Sequence, residues 1–277
     1  MKIKKHVCFR DEENPQLVLY LQNHDIAYDK GEIISSLDIY EHDPHWQHIS
    51  KFVQSESLLC LSETIFSKKE LSSAEWLTIR SQWRNGYPQP EDEFEYEHIT
   101  YSNSNHCHEC GAGLIQVNPF RIKNVPKWGN RHFMMLNWIP DELFVDETVK
   151  RVFQCNNVSG VLFGEVHDKK GQYSLPQIYQ MNVAGTLPPG ITVNNQSIDT
   201  VLACSNCGTQ KYHPTGIGMH SFRRRSFENA PDIVRTNEVF GWGHSASRLI
   251  IVSQKVYQLI VGNKLDKGLV FQPVLLV

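Results

Sequence analysis

The sequence predicts an α+β protein in two parts: an N-terminal α/β layer over residues 1–90 and a duplicated α+β domain over residues 91–277. Three observations predict this division. Short strand and helix patterns alternate through the first 85 residues. A turn-rich, acidic stretch follows near residue 90. One strand–helix–strand pattern then occurs twice. The apolar content of 40% and charged content of 21% are those of an ordinary globular protein.

The N-terminal layer is predicted from strand patterns that lie between helix start signals. Asn14–Pro15 and Asp43–Pro44 each combine an N-cap residue with a proline in the first turn. Ser67–Glu70 forms a capping box, which predicts a helix that runs to about Arg80. Strands are expected where apolar residues cluster or alternate, at residues 6–9, 32–40 and 58–61.

An exposed connection is predicted around residue 90. Residues 85–90, Asn-Gly-Tyr-Pro-Gln-Pro, interrupt the alternation, and five acidic residues follow between Glu91 and Glu97. Two interpretations of this acidic stretch stay open: a solvated surface, or a docking surface for a basic partner.

One strand–helix–loop–strand pattern occurs twice in the second part. The first copy spans residues 144–166 and the second spans residues 251–274. Val145 and Val252 occupy matched positions 107 residues apart, and the offset becomes 108 after the loop. Each copy has an N-cap residue, apolar residues at helical spacing, a loop that ends in glycine and a strand. The pattern predicts a duplicated unit.

Two pairs of cysteines carry the strongest chemical signal in the sequence. Both pairs have the form Cys-x-x-Cys-Gly, at residues 107–111 and 204–208. Two intervening residues allow both thiolates of a pair to face one ion, and the glycine permits the tight turn. Four sulfurs complete a tetrahedral zinc site with no open position for water. We therefore predict one structural zinc ion per chain, bound by Cys107, Cys110, Cys204 and Cys207.

The two cysteine pairs lie 97 residues apart between Cys107 and Cys204, far beyond the zinc-ribbon interval of roughly 15–20 residues. A duplication accounts for this distance, because each copy then contributes one pair. The second part is therefore predicted to be a zinc-clamped, zinc-ribbon-like domain. Redox-active pairs and unrelated thiols are the alternatives.

The other cysteines and the histidines near the pairs are expected to stay outside the metal site. Cys8, Cys60 and Cys155 each stand beside apolar residues, which predicts inert core thiols. A four-sulfur set is already complete, so the nearby histidines are not needed as ligands. These are His106, His108 and His213.

No catalytic motif is present, so the sequence predicts that the protein is not an enzyme. It contains no His-Glu-x-x-His, no phosphate-binding Gly-x-x-x-x-Gly-Lys and no dinucleotide fingerprint. Gly243–Ser247 approaches a nucleophile elbow, but it lacks the last glycine and precedes a strand-like run. We interpret it as a turn with an anchoring Trp242. Arg223–Arg225 is the one basic cluster, either a solvated or salt-bridged loop or an anion-binding patch.

Charge and hydropathy narrow the partners and the compartment. The net charge of −3 and the pI of about 6.5 give no general attraction to nucleic acid or to an anionic membrane. No apolar run approaches the roughly 20 residues needed to span a bilayer. A secretion signal is not recognisable at the N-terminus, so a cytoplasmic protein is expected.

The two Cys-x-x-Cys-Gly knuckles, together with the stretch from Asp232 to Val274, resemble the bacterial double-CxxCG family described from myxobacteria. The resemblance covers about residues 105–277. Some of those proteins are regarded as immunity proteins of polymorphic toxin systems. The resemblance implies a non-catalytic intracellular protein that binds and neutralises a toxin, with zinc on the four knuckle cysteines.

Taken together, the sequence predicts a non-catalytic zinc-binding protein that acts by binding a protein partner, such as a cognate toxin. A zinc-ribbon module that binds nucleic acid or regulates another process is the alternative. An enzyme of unrecognised type comes third.

Overall fold

The computed structural model describes residues 1–193 and 196–277. It is a mixed α+β structure, as predicted. The chain forms two compact units. The first comprises Met1–Glu70 and Thr215–Gly218, and the second comprises Leu71–Pro214 and Met219–Val277.

The first unit is a three-stranded sheet with two helices. Its elements, in chain order, are β1 (Lys2–Phe9), α1 (Pro15–Asn23), β2 (Ser35–Tyr40), α2 (Trp46–Ser55) and β3 (Leu59–Ile65). The sheet order is β2-β1-β3. Its buried core is Val7, Phe9, Leu17, Leu21, Leu37, Ile39 and Ile49, contributed by both helices and by two strands. The predicted alternation of strands and helices is therefore confirmed.

The central strand β1 runs antiparallel to both of its neighbours, so this sheet is not the parallel one that an α/β layer usually contains. β1 pairs antiparallel with both β2 and β3. Alternating strands and helices usually indicate a parallel sheet, because the helix carries the chain back to the end of the sheet at which the preceding strand began. Here the segment from His24 to Ile34 separates α1 from β2, and it is long enough to reverse the chain once more.

The helix predicted from Ser67 to about Arg80 is only half right. The capping box forms: Ser67 N donates to Glu70 Oε2 at 2.8 Å and Glu70 N donates to Ser67 Oγ at 3.3 Å. The helix α3 (Lys68–Ser73) then ends, and β4 (Trp76–Ser81) follows as a strand. Its buried residues alternate along the chain, and its partners are strands near the C-terminus. The boundary between the units falls inside α3, earlier than the predicted boundary near residue 90.

In the part of the chain that the structure describes, the second unit contains strands of two to ten residues and three further helices. Its strands after β4 are β5 (Tyr101–Ser102), β6 (Ile115–Gln116), β7 (Arg121–Ile122), β8 (Phe133–Met134), β9 (Phe144–Val145), β10 (Val161–Asp168), β11 (Ser174–Val183), β12 (Ile191–Thr192), β13 (Ile198–Ala203), β14 (Gln210–Pro214), β15 (Ser221–Phe222), β16 (Ile233–Arg235), β17 (Val239–Phe240), β18 (Ile250–Ser253), β19 (Leu269–Pro273) and β20 (Leu275–Leu276). Its helices are α4 (Tyr96–Thr100), α5 (Glu147–Cys155) and α6 (Gln254–Gly262), with 3-10 turns at Asp92–Phe94 and Arg224–Phe227.

Two sheets organise the core of this unit. One has the strand order β7-β10-β11-β9-β8 and the other has the order β16-β18-β4-β19. α5 and α6 contribute to one shared apolar cluster, in which Val149 and Val256 are fully buried. Amphipathic helices of about nine residues depend on such packing for their stability.

The two segments that match in sequence also match in structure. Each is strand, helix, loop and strand: β9–α5–β10 and β18–α6–β19. In each sheet a third strand lies between the two, antiparallel to both. Tyr179 of β11 faces Val145 and Glu165, whereas Leu77 of β4 faces Val252 and Pro273. These pairs preserve the offsets of 107 and 108, although the two central strands come from different parts of the chain.

Among the residues that the structure describes, no helix combines the length and the apolar character needed to cross a membrane.

Candidate metal centre

The first cysteine pair lies in a tight turn between β5 and β6. Cys107 N donates to the carbonyl of Ala112 at 2.8 Å, and Gly111 N donates to the carbonyl of Cys107 at 2.7 Å. Gly111 has φ +78°, in the left-handed region that disfavours other residues. We call residues 101–116 the first hairpin.

The second cysteine pair repeats this turn between β13 and β14. Cys204 N donates to the carbonyl of Thr209 at 3.0 Å, and Gly208 N donates to the carbonyl of Cys204 at 2.9 Å. Gly208 has φ +74°. We call residues 198–214 the second hairpin. The same spacing of cysteines and glycine therefore produces the same backbone hydrogen bonds twice.

The fold brings the four cysteines together. Their sulfur atoms all lie within 4.8 Å of one another. Two pairs that bridge the hairpins are closer, with Cys107 Sγ 3.7 Å from Cys204 Sγ and Cys110 Sγ 3.6 Å from Cys207 Sγ. Sulfurs around a tetrahedral ion with metal–sulfur bonds of about 2.3 Å lie about 3.8 Å apart. A disulfide needs about 2.05 Å, so all four are free thiols that could hold a metal ion.

The surroundings of the sulfurs favour the thiolate at Cys107 and Cys207, whose pKa values are lowered by hydrogen bonds, but not at Cys110 and Cys204, whose pKa values are raised. Asn206 Nδ2 lies 3.4 Å from Cys107 Sγ, and with backbone N–H groups of the turn it lowers the pKa of Cys107 to about 6. Burial, together with contacts to the other three cysteine sulfurs, raises the pKa of Cys110 to about 12. A bound cation deprotonates coordinating thiols of either kind.

A buried lysine contacts the backbone of the first cysteine pair. Lys211 is only 5% exposed, and its Nζ donates to the carbonyls of Cys110 at 3.0 Å and Gly243 at 2.5 Å. Within the described residues, no carboxylate pairs with this ammonium group. A buried charge is costly without a counter-charge. Four thiolates around a divalent cation carry a net charge of −2, which suits a cation at this place. The residues present therefore fit a metal bound by thiolates.

Further contacts fix the two hairpins to each other and to a third loop. Ser205 Oγ donates to Glu109 Oε1 at 2.8 Å, which joins the two turns. A methyl group added to Gly111 would collide with the carbonyl of His244, whereas the space beside Gly208 is open. The loop that contains His244 therefore packs tightly on Gly111 of the first hairpin, and it also contacts the second hairpin, where Gly241 N donates to the Tyr212 carbonyl at 3.2 Å.

The remaining cysteines and histidines lie outside this cluster. Cys8 and Cys60 are partly buried, but Cys155 is exposed at the end of α5, so the prediction of a buried thiol is wrong there. The residue ends the helix on its solvent side, which apolar neighbours in sequence do not reveal. His108 is exposed beside His106. His213 is buried, bonds Thr200 at 3.0 Å and contacts the ring of Trp242.

The two other candidate sites in the sequence, Gly243–Ser247 and Arg223–Arg225, both make contacts within the protein. Ser245 lies in a turn that is closed by its N–H bonding to the Trp242 carbonyl at 2.9 Å, and β18 follows as predicted. Trp242 is more than half exposed. Arg224 forms a two-bond ion pair with Glu75, both distances being 2.8 Å. The basic cluster therefore has one arginine already engaged.

Sequence reasoning missed a second polar region in this unit. A cleft of about 1040 Å³ lies between the first hairpin and the sheet that contains β10 and β11. Asp141, Glu142 and Arg235 lie along it, with Glu142 Oε1 2.7 Å from Arg235 Nη2. Burial raises the pKa of Glu142 to about 7. Single charged residues far apart in sequence carry no motif, so no local signal announces this region.

No model of a known protein family matches the chain, and no curated protein matches it. What the fold and the site define is a class: a mixed α+β protein in which two hairpins, far apart in sequence, join four cysteines into a site that could hold a metal ion.

Proposed function

We propose that this chain is a non-catalytic zinc protein that acts in the cytoplasm by binding another protein, as an immunity protein binds its toxin. The observation that supports it best is the closed geometry of the four thiols, which lie within 4.8 Å of one another. Four sulfur ligands complete a tetrahedron and leave no position for water or substrate. Zinc in such a site stabilises the fold and takes no part in chemistry.

Zinc is the metal that this ligand set favours. Thiolates are soft ligands that select zinc, copper(I) or iron–sulfur chemistry, and a tetrahedral four-sulfur site is typical of zinc or iron. Separations of 3.6 and 3.7 Å across the hairpins suit the radius of a single ion. Lys211 behind the site offsets the negative charge of the complex.

We also propose that the second unit is a duplicated domain whose two copies are joined by the zinc ion. Support comes from the register that β9–α5–β10 and β18–α6–β19 share, and from the identical turns of the two hairpins. On this proposal each ancestral copy had one cysteine pair. The ion ties together segments that the chain itself separates by 97 residues, which closes a long loop.

Binding of a protein partner is proposed from the resemblance to the double-CxxCG immunity proteins. The chain's negative charge suits a basic partner better than a phosphate backbone. The alternative, a zinc-ribbon module that binds nucleic acid, is favoured by one observation: Arg223, Arg224 and Arg225 are all exposed. The engagement of Arg224 with Glu75 weakens that alternative.

Metal analysis tests the first half of the proposal. We expect one equivalent of zinc in the purified protein and loss of tight binding in Cys207→Ser. Cys155→Ser is the matched control, because Cys155 is also exposed but lies outside the cluster. A protein that retains its zinc after Cys207→Ser contradicts the assignment.

Partner binding tests the second half. Zinc-loaded protein serves as bait in its host at moderate salt, and in parallel is titrated with DNA and RNA at two salt concentrations. A stoichiometric protein partner, encoded beside this gene as a toxin would be, supports the proposal. Salt-dependent binding of nucleic acid that is lost in an Arg223→Ala, Arg225→Ala double variant overturns it in favour of the alternative.

A further inference from the structure

An exposed group of aromatic rings lies at the start of the second unit. Tyr87 is 39% exposed, Phe94 51% and Trp138 41%. The ring centroid of Trp138 lies 4.5 Å from that of Tyr87 and 4.6 Å from that of Phe94. We call these three residues the aromatic ridge. Contiguous exposed aromatic surface of this kind is typical of interaction sites.

The backbone holds the ridge in a costly conformation. Phe94 has φ +59°, its neighbour Glu93 has φ +49° and Trp138 has φ +68°. Residues with a side chain rarely adopt this region, so each of the three is held in an unfavourable backbone conformation. The two segments are tied together where Asn137 N and Nδ2 both bond the carbonyl of Gly86, at 2.9 and 3.0 Å. The two hydrogen bonds thus hold the segment of Trp138 beside the segment of Tyr87.

In the part of the chain that the structure describes, acidic residues that form no ion pair with lysine or arginine flank Phe94 of the aromatic ridge. Five carboxylates lie between residues 91 and 97, and the sequence has no lysine or arginine between Arg84 and Arg121. Among the described residues, none of these five carboxylates forms an ion pair with a lysine or an arginine. Unpaired carboxylates beside exposed rings favour a cation, because the face of an aromatic ring attracts positive charge as well.

The ridge leads into the cleft. Trp138 belongs to both, and the buried ring of Tyr96 stacks under it at 6.0 Å. The charged side chains along the cleft are more often acidic than basic: Glu97, Asp141, Glu142 and Glu165 against Arg235 and Arg248. Arg235 is already occupied by Glu142 at 2.7 Å and by the Asp141 carbonyl at 2.7 Å. The cleft is therefore lined by more acidic than basic side chains.

We propose that the aromatic ridge and the adjoining cleft form the docking site for an arginine- or lysine-rich segment of the partner protein. This inference rests on the proposed function, since it names the chemistry of that partner. A basic side chain would lie against the ridge and extend into the cleft toward Glu142. Nucleic acid is disfavoured at this site because its phosphates carry the same sign as the surface.

The affinity for a basic segment should depend on pH through the ionisation of Glu142. Burial holds the pKa of Glu142 at about 7, opposed by Arg235, with Asp141 and Tyr101 as the other charged or titratable groups near it. A cation in the cleft favours the carboxylate, so the occupied state binds fewer protons than the free state. Affinity should therefore rise as the pH increases from about 6 to about 8. Glu142→Gln should flatten that rise.

The experiment uses the full zinc-loaded chain and a fluorescein-labelled peptide of alternating arginine and serine, with fluorescence anisotropy as the readout. The same peptide with glutamine for arginine is the control ligand. We expect Trp138→Ala to weaken binding of the arginine peptide about tenfold. Tyr173→Ala, which removes an even more exposed ring elsewhere in the unit, should leave it unchanged. Phe94→Gly is the second variant, because glycine accepts the positive φ and removes only the ring.

The outcomes separate this inference from the function on which it rests. Equal binding of both peptides, or equal affinity of Phe94→Gly and the parent chain, overturns the docking site. If a protein partner is found and binds the ridge variants as tightly as the parent, the docking site is wrong and the proposed function stands. If the arginine peptide depends on the ridge but no protein partner exists, the proposed function fails and the site remains.

Discussion

The two cysteine hairpins share one backbone turn but lie in different surroundings. In the first hairpin Cys107 and Cys110 are 4% and 5% exposed, and Ala112 packs with them. In the second hairpin Cys204 is partly exposed and Cys207 is exposed. The hydrogen bonds of the turn are nevertheless the same pair in each. Local spacing therefore specifies the ligand geometry, whereas burial is imposed by the rest of the fold.

This difference predicts unequal roles for the hairpins. The first has both of its cysteines buried, and the backbone of His244 packs directly against Gly111. The second presents its ligands from a β-hairpin whose cysteine end is open to solvent. We expect the metal to hold the second hairpin in place against the first, so chelation should release the second hairpin preferentially.

The largest expected effect comes from the ligands themselves. Cys110→Ser and Cys207→Ser should each abolish tight metal binding and lower the Tm of the second unit by about 10 °C or more, because structural zinc is coupled to folding. Cys110→Ser should lower it further, since it also places a hydroxyl in a buried site. Metal content and thermal unfolding of both variants measure this. Equal losses of stability would remove the distinction between the hairpins.

An intermediate effect is expected from the two glycines. Gly111→Ala combines a positive φ with a collision against the His244 backbone, whereas Gly208→Ala has only the positive φ. Gly208→Ala should cost about 1 kcal/mol in the free energy of unfolding, and Gly111→Ala several times as much. Chemical denaturation of the two variants compares them directly. A milder Gly111→Ala would mean that the loop over the first hairpin yields easily.

An effect on metal affinity, short of its complete loss, is expected at Lys211, a residue of the second hairpin that contacts the Cys110 carbonyl of the first. Lys211→Met keeps the apolar stem and removes the charge, so zinc affinity should fall about 10-fold to 100-fold, as for other residues that support metal ligands. Competition with a chromophoric chelator measures the affinity. Lys267→Met, at an exposed lysine, is the control. Unchanged affinity in Lys211→Met would show that the lysine serves packing alone.

Sequence patterns predicted those turns and helices that neighbouring residues in the chain specify by themselves. The turns at Gly111 and Gly208 follow from cysteine spacing, and α5 and α6 follow from apolar residues at helical intervals. The capping box at Ser67 formed as predicted, but the strand after it did not follow from local signals. β4 is a strand because β18 and β19, which follow it only near the C-terminus, offer it hydrogen bonds on both sides.

The sequence alone therefore determined the four candidate ligands and the repeated strand–helix–strand pattern, because each pair of cysteines and each copy of the pattern depends on spacing within its own short segment. Only the tertiary structure decided that Lys211 is buried behind the cysteines, that Glu142 meets Arg235 along a cleft, and that Trp138 stands beside Phe94 on the surface. Those arrangements join residues that are distant in the chain. Their energies come from burial and from charge, which exist only once the chain has folded.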